Sequence, residues 1–135
     1  MPSSPQAGEN DLFTVLLHES GYVFGIGTAD SWFNQVVAGS FTGPMATAEY
    51  LTAVPLESDE SQWQDGINRQ RLGTGTIQEV LFDPTVMVGS QKMLTDLDLA
   101  GLDDFGWQVV PEPNGGLLAA IAAFGWLRKR SSFAW

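Results

Sequence analysis

Residues 114–127 read NGGLLAAIAAFGWL, an uncharged run with Pro111-Glu112-Pro113 just before it and Arg128-Lys129-Arg130 just after. This stretch limits the folds open to the chain more than any other. Three adjacent cations are costly to bury, so the run does not read as a core helix. The prolines beside Glu112 keep any preceding helix from running into it. An apolar helix closed by a basic cluster instead enters a bilayer and leaves the cations on the cytoplasmic side. Fourteen helical residues rise about 21 Å, short of the roughly 30 Å of hydrocarbon in a bilayer. Snorkelling of Arg128 and Lys129 and local thinning cover the difference. Leu117, Leu118, Ile121, Phe124 and Leu127 contribute about −1.5 to −3 kcal/mol of insertion free energy. The expectation is a single C-terminal transmembrane helix over 114–127, with Arg128, Lys129 and Arg130 as its stop.

Pro-Glu-Pro, apolar helix and basic stop, in that order over residues 110–135, resemble the PEP-CTERM sorting signal of bacterial exported proteins. The resemblance implies an exosortase-type membrane enzyme as partner, which would recognise Pro111, Glu112 and Pro113. It also implies a cell-envelope location, membrane-anchored through the C-terminus before processing and then at the surface or in the extracellular matrix. Met1–Asn10 (MPSSPQAGEN) carries no positive n-region and no apolar h-region, so it is not an export signal. A sorting tail without an export signal implies that the chain is the C-terminal part of a longer precursor.

Charge is divided unevenly along the chain. Residues 1–113 hold all sixteen acids and only Arg69, Arg71 and Lys92 as bases, a net of −13, and the tail brings the whole chain to −10. So acidic a body excludes nucleic acid, and equally an anionic membrane surface, as an electrostatic partner. With 44% hydrophobic residues the body is too apolar to be disordered. The absence of cysteine rules out disulfides and thiolate metal sites.

Local signals give an α+β reading. Residues 1–10 form a disordered segment, 11–109 a folded domain, and 110–135 the sorting signal. Asp11 is placed to cap a helix from Leu12 to about Phe24, with Leu12, Val15, Leu16, Glu19 and Val23 at near-helical spacing and Gly25 ending it. Ser31–Tyr50 reads as loop-rich, with a short strand around Gln35–Ala38. Thr76–Phe82 reads as a strand or a helix start, and Asp83-Pro84 as a turn. Thr95 caps a second helix, Asp96–Phe105, with acids in its first turn. Leu97, Leu99, Ala100 and Leu102 face a core that Phe105 and Trp107 complete, while Asp103 and Asp104 make a solvated helix end. Their spacing lacks the EF-hand pattern for calcium. Gly25-Ile26-Gly27 is a helix stop, with no strand before it to support nucleotide binding.

The stretch His18-Glu19-Ser20-Gly21-Tyr22-Val23-Phe24-Gly25 is the second informative one. In HExxH zinc proteases two histidines four apart share a helix face and bind the metal, and the glutamate between them polarises water. Here His18, Glu19 and Gly25 stand at such positions, and Tyr22 stands where the second histidine belongs. Downstream lie Ser61-Gln62-Trp63, Leu81-Phe82-Asp83-Pro84, and the run from Leu94 to Trp107, LTDLDLAGLDDFGW. Together these resemble the C-terminal part of matrixin-like metzincin proteases that carry PEP-CTERM tails. That resemblance implies a partial metzincin-like domain. It also implies three departures at the chemistry: Tyr22 for a histidine, Gln62 for a histidine before Trp63, and Phe82 for a methionine under the metal. The resemblance also implies a sheet before the active-site-type helix, which Met1–Asn10 cannot supply.

Catalytic zinc takes three protein ligands and keeps one position open. The chain has one histidine and no cysteine, so a zinc site would need Tyr22 and carboxylates such as Asp30 or Glu19, and phenolate ligation requires deprotonating a group of pKa about 10. No cofactor is expected. The leading expectation is an exported, exosortase-sorted envelope protein whose protease-like body has lost zinc-dependent catalysis. His18 and Tyr22 then mark a vestigial metal site. Two alternatives stand beside it: an active zinc metalloendopeptidase with Glu19 as the catalytic base, and an envelope matrix or adhesion component.

Overall fold

The computed structural model describes residues 8–108, so the sorting motif Pro111–Pro113, the helix expected over 114–127, the basic stop Arg128–Arg130 and residues 1–7 lie outside the described residues. The fold is α+β. Its order is α1 (Leu12–Phe24), α2 (Asp30–Phe33), β1 (Val36–Val37), β2 (Ser40–Phe41), α3 (Pro44–Tyr50), β3 (Val54–Pro55), β4 (Asn68–Gln70), β5 (Ile77–Glu79) and α4 (Asp96–Asp104). Among the described residues no helix is long and apolar enough to cross a membrane.

The two expected helices form as their caps dictate. The Asp11 carboxylate accepts from the Thr14 N–H at 3.0 Å and from its hydroxyl at 2.8 Å, which meets the donors that a helix start leaves open. At the other end Gly25 takes φ 112°, and its N–H closes back on Gly21 and Tyr22. Thr95 and Asp98 make a reciprocal capping box on α4. That helix ends at Asp104, with Phe105 as its cap.

Ser31–Tyr50 is not loop-rich. It holds α2, the β1–β2 hairpin and α3. The hairpin turns on Ala38 and Gly39, both at positive φ, which suits the twist of a two-residue turn. Its strands are two residues long, too short to leave a readable alternation. β2 also pairs with β3, and β4 pairs antiparallel with β5.

Asp104 is not a solvated helix end either. Its two carboxylate oxygens each accept a backbone N–H of α3, from Met45 and Ala46, at 2.8 Å. The acid at the end of α4 is thus the N-terminal cap of α3, whose own cap position is Gly43, without a side chain. A Cβ at Gly43 would collide with Asp104 and Phe41, so the close approach of α3 and α4 depends on glycine there.

The core is aromatic. Trp32 lies 4.6 Å from Phe41 and 5.0 Å from Trp63, centroid to centroid, and all three are fully buried. Leu97 and Leu102 of α4 are buried against them, with Leu99, Ala100 and Phe105 packed at the margin, as expected from the sequence. Trp107 does not complete the core: it is half exposed, edge-on to Phe24 at 5.1 Å, and its indole donates to the Phe24 carbonyl.

Gly101 is where α4 touches the core most closely. A Cβ there would sit 2.7 Å from Cζ2 of Trp63. The indole is fixed by its own bond to Asp98 and cannot retreat. Gly101→Ala is therefore expected to destabilise the body by about 1–3 kcal/mol despite alanine's better helix propensity. Urea unfolding followed by tryptophan fluorescence checks this, and a gain in stability would show that Trp63 has room to shift.

Candidate functional site

Helix α1 presents His18 and Tyr22 one turn apart, with ring centroids 5.5 Å apart in an edge-on arrangement. The imidazole Nδ1 lies 2.9 Å from the Leu81 carbonyl oxygen. A carbonyl can only accept, so Nδ1 is the donor in this bond. From the segment before Trp63, Gln62 reaches across and its Oε1 accepts the Tyr22 hydroxyl at 3.1 Å. Phe82 lies beneath, 6.4 Å from the His18 ring. Gly21 makes this approach possible, because a Cβ there would run into the Phe82 ring. The fold thus gathers His18, Tyr22, Gln62 and Phe82, residues separated by up to 64 positions, around one small gap that Ile26 closes.

Thr28, Glu19 and Asp30 do not join the gap. Thr28 is turned back on the chain, its hydroxyl donating to the Tyr22 carbonyl. Glu19 and Asp30 are exposed. The turn at Gly27 is pressed against the Ser61 carbonyl so closely that a Cβ would overlap it, which fixes the Ser61-Gln62 segment beside α1.

The donor set does not fit zinc. It offers one imidazole, one phenol and one carboxamide, where a catalytic site needs three ligands of the histidine, carboxylate or thiolate kind. Burial holds the Tyr22 hydroxyl above its ordinary range, and the carboxylates of Glu19 and Asp59 push the same way, so it stays a neutral phenol. The gap among the five residues leaves no room for a water molecule.

A second polar cluster was not singled out by the sequence. Lys92 is buried, and its ammonium lies 2.8 and 2.9 Å from the two oxygens of Asp83 and 2.7 Å from Glu79 Oε2, while the Thr85 carbonyl accepts at 2.6 Å. Asp65, Glu79 and Asp83 bring carboxylate oxygens within 4.8 Å of one another, a spacing that suits a cation. Lys92 is the cation that meets two of the three, Glu79 and Asp83. Burial pushes the Asp83 carboxyl up to about 6, against the opposing pull of Lys92. The only hint in sequence was that Lys92 is the sole lysine of the acidic body.

Asp98 is the third buried polar centre. It accepts from the Trp63 indole at 3.1 Å, the Leu81 N–H at 3.0 Å, the Thr95 N–H at 2.8 Å and the Thr95 hydroxyl at 2.7 Å, with a longer contact from Phe82. These bonds tie α4 to the Leu81-Phe82 segment that carries the floor of the His18 gap and the acceptor of its Nδ1 proton. No family model, no curated protein and no solved structure matches this chain.

Proposed function

We propose that the chain is an envelope protein, sorted by its C-terminal tail, whose metzincin-like body keeps the frame of a zinc site without its chemistry. The supporting observation is the convergence of His18, Tyr22, Gln62 and Phe82. Three of these stand where the sequence resemblance calls for two ligands and a methionine floor, and the fourth is the one histidine left. Tyr22 and Gln62 satisfy each other with a hydrogen bond, so the lost ligands have been replaced by a self-contained polar pair. The tail, with Pro111-Glu112-Pro113 read by an exosortase-type enzyme, supplies the address, and the body has lost zinc-dependent catalysis.

If the frame has outlived the ligands, restoring them should restore metal binding. Tyr22→His with Gln62→His is expected to bind zinc at least about a thousandfold tighter than the wild type, equivalent to about 4 kcal/mol. Each single variant should fall well short, because three ligands are needed. Competition with a fluorescent zinc chelator measures all four proteins. Equal affinity in the double variant and the wild type would remove the zinc-site frame from the proposal. Tight, stoichiometric zinc in the wild type, with peptidase activity abolished by Glu19→Gln, would reinstate the active metalloendopeptidase.

A further inference from the structure

Three ionisable groups are enclosed together just beyond the end of β5. Asp83 and Lys92 are buried, and Glu79 exposes 16% of its side chain. The Lys92 ammonium lies 2.8 and 2.9 Å from the two Asp83 oxygens. It is therefore within about 3.5 Å of the Cγ that joins them, the range of a near-attack arrangement. Its other neighbours orient it, since the Thr85 carbonyl accepts at 2.6 Å and Glu79 Oε2 lies 2.7 Å away. Glu79 is itself aimed, because its Oε1 accepts the Gly66 N–H at 3.1 Å. Apart from Lys92, no donor among the described residues reaches Oε2. A simple ion pair would need only one acid. The second leaves the enclosed group with a net negative charge, which burial disfavours.

We propose that Lys92 and Asp83 condense into an intramolecular isopeptide bond, with Glu79 as the catalytic acid–base group. The ion pair is the precursor of that bond. The ammonium first gives one proton to Asp83, which leaves a neutral amine against a neutral carboxyl. Burial favours this exchange, because it holds the Asp83 carboxyl up to about 6. The Nζ lone pair then attacks Cγ, and the carbonyl electron pair moves onto Oδ1, where the Thr85 N–H donates at 3.1 Å. Glu79 takes the second proton from the nitrogen. It passes that proton to the hydroxyl on Oδ2, the C–O bond breaks, and the pair on Oδ1 re-forms the carbonyl. Carboxylate oxygens of Glu79 and Asp83 lie within 4.8 Å of one another, so the transfer is short. One ammonium and one carboxylate thus become one amide and one water, with Glu79 regenerated and no oxidant used. Glu79 and Lys92 border an open cavity of about 350 Å³ through which the water leaves. The product replaces two buried charges by a neutral group, which favours it in this setting. In a chain without cysteine it ties the segment after β5 to the one before α4 with no redox chemistry. The inference does not rest on the zinc-site reading, because it uses neither His18 nor Gln62.

Mass spectrometry of the full chain, denatured after folding, reads the bond directly. The wild type should be lighter than its sequence by one water. Trypsin should then fail to cut after Lys92 and release residues 72–128 as one peptide lacking that water, where an unlinked chain gives 72–92 and 93–128. Lys92→Arg and Asp83→Ala should keep their full mass. In chain taken fresh from translation, Glu79→Gln should form the bond at least about a hundredfold more slowly than the wild type, with unchanged circular dichroism. Glu79→Asp, which keeps a carboxylate, should link faster than Glu79→Gln. A wild type that folds, keeps its full mass after days in buffer and is cut after Lys92 would overturn the proposal. So would a water lost elsewhere, as in a succinimide at Asp65-Gly66, because the cut after Lys92 would then remain. Equal rates for Glu79→Gln and the wild type would overturn the role given to Glu79.

Discussion

Replacing Asp98 by alanine is expected to leave the body largely unfolded at 25 °C. The carboxylate receives the Trp63 indole, the Leu81 and Thr95 amides and the Thr95 hydroxyl, all buried, and alanine accepts none of them. A buried donor left without a partner costs about 1–3 kcal/mol, so four such donors cost at least about 5 kcal/mol even after the chain relaxes around them. A small domain has a total stability of about 5–15 kcal/mol, and the short strands here place this body at the lower end. The loss also removes one half of the capping box of α4. Asp98→Asn separates hydrogen bonding from shape. It keeps one acceptor oxygen but turns an NH2 group toward at least one donor pair, so it should unfold at a denaturant concentration between those of the wild type and Asp98→Ala. Urea titration of the three proteins by tryptophan fluorescence and circular dichroism tests the order. A midpoint for Asp98→Ala close to that of the wild type would mean that water enters and replaces the carboxylate.

What the sequence disclosed, and what it concealed, follows the range of the interactions involved. The starts of α1 and α4 were legible because Asp11 and Thr95 cap them within three residues, and Gly25 ends α1 for a reason internal to the backbone. Helix α3 was missed because its cap, Asp104, lies 58 residues or more away in sequence. Its local signal was only Gly43-Pro44, which reads equally well as a turn. The pairing of His18 with Tyr22 is visible in the sequence because both sit on one helix face. That Gln62 and Phe82 join them depended on the resemblance to a protease motif, since hydrophobic periodicity carries no information about contacts across 40 residues. The role of Lys92 was hidden for a related reason. One of three bases in an acidic body looks like a solvated charge, and only the fold encloses it between Asp83 and Glu79.

That enclosure sets the last expectation. Lys92→Met should cost about 3–5 kcal/mol at pH 8, because it leaves the fully buried Asp83 carboxylate, and Glu79 beside it, without a counter-charge. The penalty should depend on pH in a direction fixed by Asp83. Its folded-state pKa lies at about 6, above the ordinary 3.8, because burial disfavours the charged form. The folded protein therefore takes up a proton that the unfolded chain does not hold between these values. Asp83 thus adds stability as pH falls from above 6 toward 4, and that stability is lost as pH rises back through the folded value. Removing Lys92 removes the one strong pull toward the charged form, so the carboxyl becomes neutral at a still higher pH in the variant. Acidification then relieves the variant more than the wild type, and the gap between them should narrow markedly from pH 8 to pH 5. Lys92→Met combined with Asp83→Asn should recover part of the loss at pH 8 and leave little pH dependence over this range. Denaturant unfolding of the four members of this cycle at both pH values gives the coupling directly. A penalty for Lys92→Met that is the same at pH 5 and pH 8 would show that Asp83 is not the group left exposed to an uncompensated charge, and would move the role to Glu79.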